Sequence, residues 1–115
     1  VHTVNLRWNN IGDASAATFA KHLQGSNVHI VDLSGNHMGA DGAAALAKHL
    51  QGTNVHTVDL SYNRIGGSGA EAFIKNLQGT NVHTVDLSNN QISTETQKWL
   101  ENHHPNIKWH FYSSL

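Results

Sequence analysis

Ten of the 115 residues are histidine, which can bind metals and act as an acid or a base, and no cysteine is present. Four of them recur every 27 residues, at His2, His29, His56 and His83. A row of imidazoles suggests zinc, but zinc ligands converge on one tetrahedral point, whereas side chains repeated along a stack point in parallel. The spacing therefore indicates copies of one repeated unit, and it predicts neither a metal site nor a metal cofactor.

Carboxylates recur at the same interval, in a row formed by Asn5, Asp32, Asp59 and Asp86. Two carboxylates act as acid and base only when their environments differ, and identical repeats give them the same environment. The chain also lacks the G-x-S-x-G, H-E-x-x-H and G-K-S/T motifs of hydrolases, zinc proteases and phosphate-binding loops. We therefore expect no catalytic residue, no bound cofactor and no enzymatic activity.

The acidic row itself admits two interpretations. Carboxylates that lie about 5 Å apart on neighbouring strands repel one another, so the row would attract a basic partner. Alternatively, the row is a property of the scaffold, in which Ser34, Ser61 and Ser88 hydrogen-bond to the carboxylates.

The 27-residue interval extends to the whole chain. The segment VHTVNLRWNNIG at Val1 recurs as VHIVDLSGNHMG, VHTVDLSYNRIG and VHTVDLSNNQIS. Each unit opens with alternating apolar residues, which predict a short strand, and continues with a helical face such as Ala43, Leu46, Ala47 and Leu50. We therefore predict one α/β solenoid domain, 1–115, built from repeats 1–27, 28–54, 55–81 and 82–104 and a C-terminal cap, 105–115.

The repeated pattern V-x-x-V-x-L-x-x-N-x-I resembles the leucine-rich repeat, and its strand-plus-helix period is most similar to the ribonuclease-inhibitor-like class. The resemblance covers about residues 1–104. It implies a horseshoe segment with a parallel sheet on its concave side, and a protein that binds another protein there. A fold does not by itself establish an activity.

Residues at the same position of successive repeats form columns, some constant and some variable. The constant column Asn9, Asn36, Asn63 and Asn90 is expected to satisfy backbone groups, and Gly12, Gly39 and Gly66 are expected at corners that need glycine. The variable columns have no evident scaffold duty and contain Trp, Tyr and Arg, which are enriched at interface hot spots. The predicted partner-binding residues are Arg7, Trp8, Asp32, Asp59, Tyr62, Arg64, Asp86 and Asn89.

Composition excludes several partner classes. The formal net charge is −1, so the chain lacks the basic surface that nucleic acids require. No apolar run could cross a bilayer and no secretory signal is present, so we expect no membrane partner. The absence of cysteine is compatible with a reducing compartment, and we expect the protein to be cytoplasmic.

The two ends depart from the repeat. Because the chain starts on the first position of a repeat, we expect a fragment or an engineered sequence whose first repeat exposes apolar surface. An alternative function follows: a homodimer formed through the Val1 edge. At the other end, 106–112 predicts a last strand with either Ile107 or Trp109 inward, and a lid made of Trp99, Trp109, Phe111 and Tyr112.

A further alternative is enzymatic regulation. GTPase-activating proteins for Ran belong to the repeat class that this chain resembles, so the resemblance also admits regulation of a GTPase. Only Arg7 and Arg64 offer a cation on the predicted binding face, and those proteins are much longer.

Overall fold

Strands and helices alternate along the chain in the computed structural model, which describes residues 2–113. The alternation follows the repeat, because each unit contributes one strand and one helix. The elements are β1 (Thr3–Asn5), α1 (Gly12–Lys21), β2 (Ile30–Asp32), α2 (Ala40–His49), β3 (Thr57–Asp59), α3 (Gly66–Lys75), β4 (Thr84–Asp86), α4 (Thr94–His103) and β5 (Lys108–His110).

The strands form one parallel sheet in chain order, β1 to β5. Adjacent strands pair in register with the repeat, so that Val31 lies opposite Val4 and Val58, and Val58 lies opposite Val85. In β5, Trp109 pairs with Val85, which decides the choice between Ile107 and Trp109 for the inward position. The α/β solenoid predicted from the repeat is confirmed.

The core lies between the sheet and the helices. Val31 of β2 and Leu33, the residue after this strand, are fully buried together with Leu46 and Ala47 of α2. Small helical residues let neighbouring helices approach closely: a Cβ placed on Gly69 would lie 3.0 Å from Cα of Ala40. The many Ala and Gly positions of the sequence therefore set the spacing between repeats.

The asparagine column forms a hydrogen-bonded ladder along the turns that follow the strands. Oδ1 of Asn63 accepts the backbone N–H groups of Asn36 and Met38 at 3.0 and 2.9 Å. Its Nδ2 donates to the carbonyls of Leu33 and Leu60, each at 3.0 Å. Asn36 bridges its own repeat to the preceding one in the same way. The scaffold role predicted for this column is confirmed.

The glycines at the corners behave in two ways. Gly12 and Gly66 have φ values of +71° and +70°, which favour glycine as predicted. Gly39 does not: its φ is −103°, and its N–H donates to Oδ1 of Asp13 at 2.7 Å. The prediction was therefore wrong for Gly39, whose φ does not require glycine; its N–H is instead held by the carboxylate of Asp13 in α1, which belongs to the preceding repeat.

The first repeat is less buried than the next one. Val4, Leu6 and Phe19 pack against the core but remain partly exposed, whereas Val31 and Leu33 are fully buried. Val1, on which the predicted edge also depends, lies outside the described residues. Homodimerisation through this edge stays a prediction.

The C-terminal lid is only partly as predicted. Trp109 and Phe111 pack against the core, with ring centroids 5.5 Å apart. Trp99 is 40% exposed and Tyr112 is 71% exposed, so these two side chains are less buried than Trp109 and Phe111. Trp99 instead stacks on His103 of its own helix, at 4.5 Å between centroids. Within residues 2–113, no helix has the length and apolar character needed to traverse a bilayer.

Candidate functional site

The side of the sheet that faces away from the helices carries the predicted binding residues; we call it the sheet face. Three of them, Asp32, Asp59 and Asp86, alternate with inward valines and form one row across β2, β3 and β4. Trp8 and Tyr62 lie in the turns that follow their strands and contact each other. Arg7 and Arg64 are exposed in those turns, and Asn89 is partly buried.

Serines hold the acidic row in place. Oδ1 of Asp59 accepts the N–H and the hydroxyl of Ser61 at 2.9 and 2.7 Å. Ser34 donates the same two bonds to Asp32 at 3.0 and 2.7 Å. The interpretation of the row as a feature of the scaffold therefore has a structural basis. The hydrogen bonds from the serines reach only Oδ1 of each carboxylate.

The middle carboxylate is electrostatically strained. Burial raises the pKa of Asp59 above its ordinary value, the hydrogen bonds from Ser61 oppose this rise, and the charges of Asp86 and Asp32 add to it. Among residues 2–113 no lysine or arginine forms an ion pair with the row. The sheet face therefore carries negative charge that the described residues do not neutralise.

An aromatic bridge crosses three repeats beside the acidic row; it consists of Trp8, Gly35 and Tyr62. The Trp8 ring covers Gly35 so closely that a Cβ at Gly35 would overlap the ring. It then meets the Tyr62 ring, with centroids 5.5 Å apart and planes inclined by 48°. Even so, Trp8 remains 64% exposed and Tyr62 48% exposed. Gly35 was not among the predicted site residues, although its lack of a side chain makes the bridge possible.

The backbone of this column is constrained, contrary to the expectation that variable columns have no scaffold duty. Trp8, Gly35, Tyr62 and Asn89 all have left-handed φ values, between +57° and +67°. Glycine and asparagine tolerate this region, whereas a bulky side chain there costs on the order of 1–2 kcal/mol. Trp8 and Tyr62 thus occupy strained positions while exposing large apolar rings.

Each histidine of the repeated row lies directly before the first residue of a strand. Successive ring centroids of His2, His29, His56 and His83 lie 5.0, 5.6 and 4.8 Å apart, with planes within 21° of parallel. Burial lowers the pKa of His56 below its ordinary value, and the neighbouring charges of His83 and His29 lower it further. The row predicted from the interval is thus present in the fold. In the part of the chain that the structure describes, no three or more His, Cys, Asp or Glu side chains are arranged so that they could hold one metal ion.

Comparisons with known proteins agree with this architecture. A model of the leucine-rich repeat matches residues 1–20, 26–47 and 53–73, and a second leucine-rich repeat model matches residues 81–103. Curated proteins gave no match. Among solved structures, the chain is similar to leiomodin-1 actin-binding site 2, with a TM-score of 0.82 at 19% sequence identity. That alignment covers 98% of this chain and 71% of the other. At this identity the likeness shows the fold alone.

Proposed function

The chain belongs to the leucine-rich repeat family, and we propose that it is a non-enzymatic module that binds another protein through its sheet face. The observation that carries this proposal is the aromatic bridge. Within the family, the 27-residue period favours the ribonuclease-inhibitor-like class, and the lack of cysteine favours a cytoplasmic location. The proposed contact residues are Arg7, Trp8, Asp32, Asp59, Tyr62, Arg64, Asp86 and Asn89.

The aromatic bridge has the properties of an interface anchor. Trp and Tyr are enriched among residues that dominate binding energy, and both rings are exposed here. Their mutual contact and the turn conformation fix the rings before binding, which lowers the entropy that association must overcome. A partner that covers the Trp8–Tyr62 surface therefore gains apolar burial without having to order these side chains.

The charges of the same face indicate the partner's chemistry. The second carboxylate oxygens of Asp32, Asp59 and Asp86 have no cation beside them within the described residues, so a partner that brings lysine or arginine to the row is favoured. Arg7 and Arg64 lie in the turns beyond the row, and they favour acidic or polar groups at that margin of the contact.

Actin is the first partner to test. The similar solved structure is described as an actin-binding site of leiomodin-1. At 19% sequence identity the likeness extends to the fold and not to the contact residues. Actin binding by this chain is therefore a proposal that needs its own measurement. Cosedimentation with filaments and calorimetry with monomeric actin test both forms of the partner.

Three substitutions test the site whichever partner is used. Trp8→Ala and Tyr62→Ala each remove one ring, and Gly35→Ala displaces the Trp8 ring without deleting it. We expect each to weaken binding by about 2 kcal/mol, roughly 30-fold. Trp99→Ala, which removes an exposed ring on α4, is the matched control and should leave affinity unchanged. A partner that binds the Trp8→Ala, Tyr62→Ala double variant as tightly as the parent chain refutes the assignment.

Self-association is a second candidate, favoured by the partly exposed Val4, Leu6 and Phe19 of the first repeat. The outer edge of β1 has no strand partner in the described sheet, and open edges pair readily. Sedimentation velocity over a range of concentrations tests it. A monomer at every concentration excludes self-association and leaves the sheet-face proposal untouched.

A further inference from the structure

The last strand interrupts the charge pattern of the sheet face. One position of three successive strands carries the acidic row, Asp32, Asp59 and Asp86. In β5 the register places His110 at this position, opposite Asp86, and Lys108 opposite Thr84. Trp109 lies between them and packs against the core, so Lys108 and His110 lie on the sheet face. The acidic row therefore ends at β4, and a lysine and a histidine follow it on β5.

The Lys108 ammonium group is available to a partner. Lys108 is exposed, and within residues 2–113 it forms no ion pair. The residue opposite Asp86 is His110, so Lys108 lies two positions away from the nearest place in the row. The lysine therefore does not neutralise the row by contact. The sheet face has two charged zones, one negative over β2 to β4 and one positive on β5.

A single segment of a partner can reach both zones. Neighbouring strands lie about 4.8 Å apart, so β2 and β5 are separated by about 14 Å, a distance that four to five extended residues cover. The aromatic bridge belongs to the first three repeats, whereas Lys108 belongs to the cap. A segment that crosses the strands thus meets the aromatic rings, the carboxylates and the lysine in that order.

We propose that Lys108 is a specificity-determining residue of the sheet face. It favours a partner segment whose basic residues lie over the acidic row and are followed by an acidic residue at β5. A segment that stays basic brings a cation to Lys108, and like charges that meet across an interface exclude wrong partners. This inference rests on the proposed protein binding, and it adds the order of charges that the bound segment must carry.

A lysine on an edge strand can also serve the fold alone. Such a charge hinders the open edge from pairing with another sheet, and β5 is the last strand of the described sheet. Edge protection requires a cation at position 108 but no particular charge in a partner. Peptides that differ only in charge therefore separate the two roles.

The probes are two synthetic peptides with blocked ends, which removes their terminal charges. One has the order Leu-Lys-Lys-Lys-Glu-Glu, and the other carries glutamine in place of both glutamates. Six extended residues span about 20 Å, close to the roughly 19 Å between the outer strands of the five-stranded sheet. NMR titrations of the full chain measure both affinities at about 0.15 M salt, where charges more than about 8 Å apart are largely screened. We expect both peptides to shift the amides of the acidic row, and the glutamate peptide to shift those of Lys108 and His110 more strongly.

Lys108→Glu should affect the two peptides in opposite directions. An exposed charge pair changes affinity about two- to fivefold, and charge reversal replaces attraction by repulsion, so the glutamate peptide should bind about tenfold more weakly. The glutamine peptide should bind at least as tightly as it binds the parent chain, because the variant adds a carboxylate beside the row. Lys98→Glu makes the same change at an exposed position of α4, on the other side of the sheet, and should alter neither affinity.

Equal effects of Lys108→Glu on the two peptides overturn the proposal, as does a failure of the glutamate peptide to bind the parent chain. Stronger self-association of Lys108→Glu at unchanged peptide affinities assigns the lysine to edge protection instead. Asp59→Asn should weaken both peptides alike. If it weakens neither, the acidic row does not bind basic residues, and the partner chemistry proposed for the sheet face is also wrong. The aromatic bridge keeps its own test in Trp8→Ala and Tyr62→Ala.

Discussion

Replacing Asn63 by alanine should destabilise the solenoid far more than the same replacement at Asn9, although both residues occupy one column. The Asn63 side chain is 5% exposed and joins two repeats. Its Oδ1 serves the N–H groups of Asn36 and Met38, and its Nδ2 serves the carbonyls of Leu33 and of its own repeat. Alanine removes all of these bonds in a place that water does not reach.

The magnitude follows from the groups left unpaired. A buried donor without a partner costs about 1–3 kcal/mol, so the two N–H groups alone account for about 2–6 kcal/mol. A domain of this kind has a total stability of about 5–15 kcal/mol. Asn9 is exposed and donates only to the carbonyls of Leu6 and Arg7, which water can satisfy, so Asn9→Ala should cost about 1 kcal/mol or less.

Urea unfolding followed by circular dichroism measures both variants. A lower midpoint at unchanged slope reports a loss of stability rather than a change in the unfolding reaction. Hydrogen exchange of the Asn36 and Met38 amides shows whether the loss begins at the groups that Asn63 serves. Equal destabilisation by the two replacements would refute the reasoning, because it would mean that bonds between repeats are worth no more than bonds within one.

Three further predictions concern charge and packing. Asp59→Asn should raise the melting temperature at neutral pH, because the raised pKa of Asp59 means that its charged form is unfavourable in the fold. The stability that Asp59 contributes is greatest below its unfolded pKa and is lost as pH rises through its folded pKa. The gain in melting temperature should therefore vanish in acid. The pKa of His56 is lowered, so its effect on stability has the opposite pH dependence. The stability that His56 contributes is present above the ordinary histidine pKa and is lost as pH falls through the folded value. His56→Asn should therefore reduce the fall in melting temperature on mild acidification. Gly69→Ala gains about 1 kcal/mol of helix propensity but places a Cβ 3.0 Å from the Ala40 backbone, at a cost of about 1–3 kcal/mol. In Gly67→Ala, the control, the new Cβ meets only the Thr96 side chain, at 3.3 Å. Calorimetry should find the Gly69→Ala protein less stable than this control. A Gly69→Ala protein as stable as Gly67→Ala would show that the helices can move apart without loss.

The architecture was predictable because each scaffold requirement appears four times in the sequence. A valine or leucine at every inward strand position and an asparagine at every turn leave one arrangement that buries the apolar residues and satisfies the backbone. The register of β5 was not predictable, because the cap does not repeat the pattern. The structure places Trp109 opposite Val85, a pairing that composition alone did not select.

The candidate sites were less predictable, because they depend on departures from the repeat rather than on the repeat itself. The sequence pattern predicted Trp8 and Tyr62 as contact residues but did not predict the glycine between them, since a small residue in a variable column carries no signal until the neighbouring ring is placed. This glycine lies in the second repeat, between the repeats that carry the two rings, and it makes room for the Trp8 ring. In a protein built from near copies, the constant columns specify the fold, and the substitutions within one repeat decide what its surface can bind.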